Sequence, residues 1–329
     1  MIAIDHDPWV LGIDCSAYTT SVAVVRTSGQ WHQARRVLEV PQGARGLRPS
    51  DALFAHVQNL PGLVEDVMAP LDDRNLAWVA VSVAPRPTPD SYLPPFLAGE
   101  AVARSVAACK RVPLLRTTHQ EGHIRAGLAG SGLPGETPFF AFHLSGGTTE
   151  LLRVVPQGPR LAIEILGGSD DLYVGQFVDR VGVLLGLSFP AGPSLDGMIV
   201  SAPAAYALPW SRPRLKEGRW WTSFSGPESA AERAISEGID GSRVARGMME
   251  SIAQSLVALL KRVASTGDLL VIGGVAANTF LRQRLGELLP GPEWRVWFAE
   301  PDWSRDNAIG VAYLGLDAWR ASTASAISG

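Results

Sequence analysis

One pattern occurs twice in this chain and limits the folds open to it. Trp9-Val10-Leu11-Gly12-Ile13-Asp14 is a short apolar run ending in an acid; the polar turn Cys15 to Thr20 follows, and Ser21 to Arg26 resumes as a second strand. Phe139 to Leu144, then Ser145-Gly146-Gly147-Thr148-Thr149, then Glu150 to Val155 repeat that layout. Each copy reads as a hairpin whose turn can offer backbone N–H groups to an anion. After the first copy, Leu53, Val57, Leu60, Val64 and Val67 mark a helix over residues 50–70, and Leu76 to Val83 reads as a buried strand. Five prolines make Ala84 to Pro95 a loop. A helix over Phe96 to Ala108 and a short strand at Val112 to Leu115 follow. An α/β chain that restarts its opening hairpin is expected to build two similar lobes with a ligand cleft between them. Its 329 residues suffice for both.

In the second half, Leu172 to Leu185 reads as a helix stopping near Gly186, Val244 to Ser265 as a long amphipathic helix, and Asp268 to Ile272 as a buried strand. The polar, tryptophan-rich stretch 200–227 has weak periodicity and reads as an insertion or capping loop. The lobes are expected to comprise residues 1–118 with 308–329, and 119–307 with a helical insertion over about 200–265.

The balance of 46% hydrophobic and 19% charged residues is that of a globular protein, and a net charge of −3 announces no bulk affinity for nucleic acid. Two cysteines, Cys15 and Cys109, form no framework and fit a reducing cytoplasm. Asp5 and Asp7 near the start argue against a secretory leader, and no apolar run reaches the length of a membrane span. A cytoplasmic protein without a membrane partner is expected.

His119-Gln120-Glu121-Gly122-His123 carries two of the six histidines four residues apart, on one helix face. Neutral imidazoles at that spacing can close on one divalent cation, and a carboxylate from a distant loop, here Asp306-Asn307, can complete the set. The competing reading is a helix-end pair that binds nothing. Glu121 lies two positions from each histidine, roughly a 200° turn away, which argues against a zinc-protease arrangement with its base beside the metal. Gly122 within the motif points to a helix start or a close backbone approach.

Gly273-Gly274-Val275-Ala276-Ala277-Asn278 directly follows a buried strand and leads into a helix near Ala277 or Asn278. Bare backbone and helix-start N–H groups suit a phosphate, and Asn278 is placed to reach a ribose or base. A branched residue at Gly274 is expected to obstruct a ligand and strain the turn. Gly146 and Gly147 offer a second such approach; either diglycine alone could be only a tight turn. Asp179 sits on the Leu172–Leu185 helix, eight residues after Asp171, and both compete with the reading of a solvated helix acid; Asp179 lies among apolar neighbours and can face a ligand hydroxyl. Phe189-Pro190-Ala191-Gly192-Pro193 reads as a rigid turn able to close over a sugar.

Taken in order, these motifs resemble the family of tRNA threonylcarbamoyladenosine synthases (TsaD, formerly described as O-sialoglycoprotein endopeptidases), over essentially the whole chain. The family's H-M-E-G-H is similar to His119–His123, its S-G-G-x-T to Ser145–Thr149, and its D-x-x-x-G-x-x-x-D to Asp171, Gly175 and Asp179. Its G-L-x-[FY]-P-x-G-P is similar to Gly186–Pro193, its F-S-G to Phe224-Ser225-Gly226, its G-G-V-x-A-N to Gly273–Asn278 and its D-N to Asp306-Asn307. The resemblance implies two ribonuclease-H-like lobes of the actin-like ATPase (ASKHA) superfamily. It implies one iron or zinc ion per subunit on His119, His123 and Asp306. It places threonylcarbamoyl-AMP, with its adenine nucleotide moiety, on His143, Leu144, Ser145, Gly146, Gly147, Asp179, Gly192, Asp196, Gly273, Gly274 and Asn278. The reaction implied is acyl transfer to adenosine beside the tRNA anticodon, with a small paralogous subunit and an ATPase subunit as partners.

The first lobe departs from the family. T-S-C-D-E-T becomes Cys15-Ser16-Ala17-Tyr18-Thr19-Thr20, without either acid. P-E-x-A-S-R-x-H becomes Pro49 to His56, keeping the histidine but not the glutamate or arginine, and G-P-G-L gives way to the proline-rich loop. A non-catalytic or re-specialised paralogue, pairing with a true synthase subunit, is therefore the second reading. An actin-like sugar kinase is weaker, because magnesium handled through water and phosphates has little use for paired histidines.

Overall fold

The computed structural model describes residues 7–40, 47–71, 75–200, 202–304 and 306–328; Asp5, read against a leader, lies outside them. The chain divides into two compact units, Met1–Ala129 with Pro156–Ala162 and Arg305–Gly329, and Gly130–Val155 with Ile163–Ser304.

In the first unit, β1 (Trp9–Cys15), β2 (Thr19–Val25) and β3 (Trp31–Val37) form an antiparallel meander. α1 (Pro49–Met68), β4 (Leu76–Ser82), α2 (Phe96–Lys110), β5 (Leu114–Thr117) and α3 (His119–Ser131) follow, and the C-terminal helix Ile309–Ser328 returns to the same unit. The strand order is β3-β2-β1-β4-β5, with β1, β4 and β5 parallel. Leu11, Ile13, Val22, Val24, Val79 and Val81 from the sheet meet Leu60, Leu63 and Ala103 from the helices in one apolar core.

Two helices reach the site through glycine. A Cβ on Gly310 would overlap the Gly122 carbonyl oxygen, and one on Gly122 would stand 2.9 Å from Val311 Cγ2. Backbones can cross this closely only where neither residue carries a side chain. Lower down, the C-terminal helix lies directly on β1, where a Cβ at Gly12 would sit 2.5 Å from Ala312 N. The crossing holds the lead-in of the C-terminal helix, and Asp306 with it, beside the histidines of α3.

The second unit repeats the strand plan. β6 (Phe139–Leu144), β7 (Thr149–Gln157), β8 (Arg160–Ser169), β11 (Gly267–Ile272) and β12 (Trp294–Phe298) are arranged β12-β11-β6-β7-β8, matching β5-β4-β1-β2-β3 of the first unit. The duplication read from the opening hairpins is thus a duplication of the whole sheet, in the ribonuclease-H-like order. Beyond β8 the sheet continues through β10 (Arg219–Thr222) to β9 (Arg214–Lys216) at its edge. Helices α4 (Val174–Leu184), α5 (Gly192–Val200), α6 (Ser225–Ser236), α7 (Gly241–Leu260) and α8 (Thr279–Leu288) complete the unit. Phe142, Phe177, Phe224, Met248, Ile252 and Leu256 are among its buried core.

Three expectations change. The first unit extends through Ala129, not 118, because α3 is seated on it: His119 N and Gln120 N donate to the carbonyls of Ala84 and Pro85 at 2.9 and 3.0 Å. For the same reason residues 306–307 belong with the first unit. Finally, 200–265 is no helical insertion. It contains the β9–β10 hairpin, whose Trp220 packs on the core, and α7 is itself a central core helix. Among the described residues no helix is long and apolar enough to cross a membrane.

Gly310→Ala should lower stability by about 1–3 kcal/mol through overpacking at the crossing. Urea unfolding measures this directly; an unchanged midpoint would remove the crossing as the element that places Asp306.

Candidate metal centre and glycine turns

The centre lies at the carboxyl ends of the parallel strands of the first unit, the edge at which open α/β sheets place their chemistry. β1 ends near Asp14, β4 at Ser82 and β5 at Thr117. α3 begins with a capping box: Thr118 Oγ1 accepts from Glu121 N at 3.3 Å, while the Glu121 carboxylate accepts from Thr118 N at 3.0 Å. That carboxylate also accepts from the Thr117 hydroxyl at 2.9 Å and from Leu161 N at 3.4 Å. Glu121 is buried and turned away from the histidines, as its offset in the motif requires.

His123 Nε2 stands 3.0 Å from His119 Nε2 and 3.1 Å from Asp306 Oδ1, and His119 Nε2 stands 3.8 Å from the same oxygen. Three donors around one small cation at about 2.1 Å would lie about 3.4 Å apart in tetrahedral geometry. The observed separations bracket that value. Two imidazole nitrogens with one carboxylate suit iron or zinc; calcium and magnesium want oxygen. Three protein donors around an ion would leave a coordination position open.

The next layer of contacts fits the same reading. His119 Nδ1 donates to Asp14 Oδ2 at 2.7 Å, which turns Nε2 toward Asp306 and His123. Ser82 donates to the other Asp14 oxygen, and Ser16 Oγ donates to Asp306 Oδ2 at 2.7 Å. His56 is buried under this loop, joined to Thr20 Oγ1 at 2.7 Å and the Ser16 carbonyl at 2.8 Å. Burial pushes its pKa down, so the histidine retained in the altered Pro49–His56 motif braces the turn. Asn307 accepts from Ile309 N at 3.0 Å and starts the C-terminal helix. In the D-N pair, one residue therefore faces the donors and the other caps. Sequence reasoning missed Asp14 and Ser16, although an acid closing the first strand was visible.

Burial favours the neutral form of His119, but the Asp14 carboxylate outweighs it and holds the ring protonated up to about 9. Burial also opposes charge on Asp306; its bond to His123 and the two imidazoles prevail and keep the carboxyl well below the usual range.

In the second unit, β6 and β11 run parallel and end side by side, so the turns Ser145–Gly147 and Gly273–Gly274 share one edge. His143 pairs with Ile272 across the strands, and Leu144 is buried. Gly273 has φ 96°, and a Cβ there would overlap the Leu144 carbonyl. Gly274 carries no such constraint. A Cβ at Gly146, Gly147, Gly192 or Gly274 would meet nothing within 4 Å. The strain expected at Gly274 therefore belongs to Gly273, and Gly274 is open backbone. α4 approaches the first turn through Gly175, whose N donates to Ser145 O at 3.2 Å.

The polar residues of this edge are engaged with protein. Asn278 caps α8, accepting from Leu281 N at 2.8 Å, and its amide donates to Asp196 at 2.8 Å. Asp196 also accepts from Thr279 N and its hydroxyl, at 3.0 and 2.9 Å. Asp179 accepts from Ala191 N at 2.8 Å and so positions the Gly192 turn; burial raises its pKa. Asp171 lies ahead of α4, not on it, and accepts from Ser223 Oγ, Phe224 N and Ser225 N, which fixes the Phe224-Ser225-Gly226 segment. These acids and Asn278 shape the edge, while the glycines expose it.

His123→Ala should abolish transition-metal binding without unfolding the chain. Asp14→Asn should weaken metal affinity about 10- to 100-fold. Because bound metal must displace the proton held on His119, affinity should fall as pH drops below about 9. Metal content by mass spectrometry and titration in buffers of different ionisation enthalpy check all three; full metal in the His123 variant would refute the site.

Known proteins now supply the comparison. The family model described as TsaD, tRNA N6-adenosine threonylcarbamoyltransferase, matches residues 33–313. Proteins of that name from two strains of Thermus thermophilus are each 34% identical over 318 residues, covering 95% of this chain and 92% or 91% of theirs. Among solved structures, HypF from T. kodakarensis aligns over 96% of this chain and 48% of its own, with TM-score 0.58 and 13% identity. The activator of 2-hydroxyisocaproyl-CoA dehydratase from Clostridium difficile aligns over 96% and 97%, with TM-score 0.55 and 12% identity. A glucokinase of the ROK family from Streptomyces griseus aligns over 93% and 99% at TM-score 0.50. The structures speak to fold alone, that of the actin-like ATPases. On its motifs and its relatives, the chain belongs to the tRNA N6-adenosine threonylcarbamoyltransferase family.

Proposed function

We propose that this protein transfers a threonylcarbamoyl group from threonylcarbamoyl-AMP to the exocyclic amine of an adenosine beside the tRNA anticodon, using one iron or zinc ion. The observation that carries the reading is the convergence of His119, His123 and Asp306 in a chain of this family. A divalent ion, which His119, His123 and Asp306 would hold, would supply Lewis acidity toward a carbonyl oxygen. Asp14 orients His119 by accepting from its Nδ1, and Ser16 orients the Asp306 carboxylate by donating to it.

The second unit has the features to hold the adenylate. Backbone at Gly146 and Gly274, where no Cβ stands in the way, can meet the phosphate, while Gly147 N is held by Ser145 Oγ at 3.2 Å and so shapes the turn. In the transfer, the amine nitrogen bonds to the carbamoyl carbon, the carbon–oxygen bond to phosphate breaks, and AMP leaves as an anion. The amine proton passes to solvent. Donors fixed in the backbone stabilise that departing charge without reorganising. Free cysteines, Cys15 buried and Cys109 exposed, fit work in the cytoplasm, with a small paralogous subunit and an ATPase subunit as partners.

One observation favours the second reading, a re-specialised paralogue that pairs with a true synthase subunit. Tyr18, standing where the family has an acid, is 44% exposed, and Thr19 is tied into the turn by Ser16. The acceptor side thus lacks the family's charges. Labelling of tRNA from threonine, bicarbonate and ATP, with partners from the same organism, separates the two. Incorporation dependent on His123 supports transfer, and none with partners present sinks it.

Gly274→Val should fold like the parent, because its Cβ position is open, yet lose adenine-nucleotide binding. Gly273→Val should instead compromise the fold through its positive φ. Calorimetric titration with AMP reads the difference; a folded Gly274 variant that binds normally would reduce the diglycine to a turn.

A further inference from the structure

The hairpin that the sequence read as an insertion carries a charge pattern that the transfer site does not use. Between residues 210 and 222 stand Arg212, Arg214, Lys216 and Arg219, with Glu217 the one acid. The register pairs Lys216 with Arg219, Trp221 with Arg214 and Trp220 with Leu215. Strand alternation then puts Arg214, Lys216, Arg219 and Trp221 on one face, and Leu215 and Trp220 on the other. Trp220 packs on the core of the second unit, with the Arg262 guanidinium 5.0 Å over its ring. The cationic face is therefore the one turned away from that core.

Lys216 and Arg219 are exposed and lie directly opposite each other, an arrangement that destabilises a sheet. Among the described residues no acid pairs with either, and Arg214 reaches Asp170 only at 4.0 Å. Cations on a sheet edge also discourage edge-to-edge pairing. That accounts for Arg214 and Lys216 on the edge strand β9, but not for Arg219 on the inner strand β10, set against a like charge. The pattern is unbalanced within the unit and wants an external anion. Half-buried Trp221 beside the cations, and Arg212 over Trp210 at 5.8 Å, interleave aromatic and basic groups as single-stranded nucleic-acid surfaces do.

We propose that the β9–β10 hairpin is a contact for the phosphate backbone of RNA, which, resting on the transferase reading, is the substrate tRNA. The contact is local. A chain of net charge −3 has no general attraction to nucleic acid, so any contact made by this chain itself, rather than by a partner subunit, needs a concentrated patch.

The test is binding of the full-length protein to an unmodified tRNA transcript with adenosine beside the anticodon, by fluorescence anisotropy over a series of salt concentrations. In the double variant Lys216→Ala, Arg219→Ala, affinity should fall on the order of tenfold near 0.1 M salt. The slope of log Kd against log salt should shrink by about 1.4–1.8, two phosphate contacts' worth. The Lys216→Glu, Arg219→Glu variant should lose more. AMP titration should match the parent in both, which shows the second unit intact. Unchanged RNA affinity and slope would overturn the proposal, as would a parent protein that does not bind the transcript. A double variant that self-associates yet binds RNA normally would assign the charges to edge protection. Polyglutamate bound more tightly than the transcript, and lost in the double variant, would assign them to an acidic protein surface. Hairpin-dependent binding without threonine transfer would sink the transferase reading and leave this one standing; transfer with hairpin-independent binding would do the reverse.

Discussion

The placement of the candidate centre depends on two glycines that touch across nearly two hundred residues of sequence. Gly122 lies between the two histidines, and Gly310 lies four residues beyond Asp306. Their backbones meet where a Cβ on either would collide with the other helix or its side chains. A carboxylate from the end of the chain can stand 3.1 Å from a histidine of α3 only because both helices forgo side chains at this point. Glycine in a helix interior costs about 1 kcal/mol relative to alanine. Here that local loss is offset by packing a helix against β1 and by the convergence of three donors.

The repeated sheet makes a second point about the division of labour. Both units end their parallel strands at an edge available for chemistry, but the sequence fills those edges differently. At the first edge the strands deliver Asp14, Ser82 and Thr117, polar groups that orient a histidine or anchor a helix. At the second they deliver glycine turns without side chains. One edge suits a cation and the other an anion. A duplicated scaffold thus presents opposite electrostatic surfaces through a handful of substitutions at strand ends, while its cores remain apolar and alike.

Much of this was legible where local pattern and tertiary role agree. The opening hairpins, the buried strands Leu76–Ser82 and Gly267–Ile272, and the i, i+4 histidines all announce themselves by period. Less legible were strands facing solvent on one or both sides. β3 reads Trp31-His32-Gln33-Ala34-Arg35-Arg36-Val37, with no apolar alternation to mark it, and β9 and β10 are hidden between prolines and tryptophans. Polar residues carry a structural role that their motifs do not announce. Asn278, expected to reach a ribose or base, also caps α8, and Asp171, expected on a helix, lies ahead of α4 and accepts from Phe224 N. Asn ahead of a helix, and Thr118 three residues before Glu121, are capping signals that sequence alone carries. They were overshadowed by motifs that suggested chemistry.

The changes confined to the first unit acquire a physical sense against this background. Loss of two acids from the Cys15–Thr20 turn would ordinarily free it to move, because acids in such turns accept backbone donors. The turn is held instead by neutral contacts: Ser16 to Thr19 within it, and His56 beneath it bridging Thr20 and the Ser16 carbonyl. Ser16 in turn orients Asp306, so the brace acts on the metal donors through one hydroxyl. The donor set has therefore kept its support while the negative charge around it was removed. A polyanionic acceptor would meet less repulsion at such an edge. On the β9–β10 hairpin of the other unit the balance is again cationic: Lys216 stands opposite Arg219, and among the described residues no acid pairs with either.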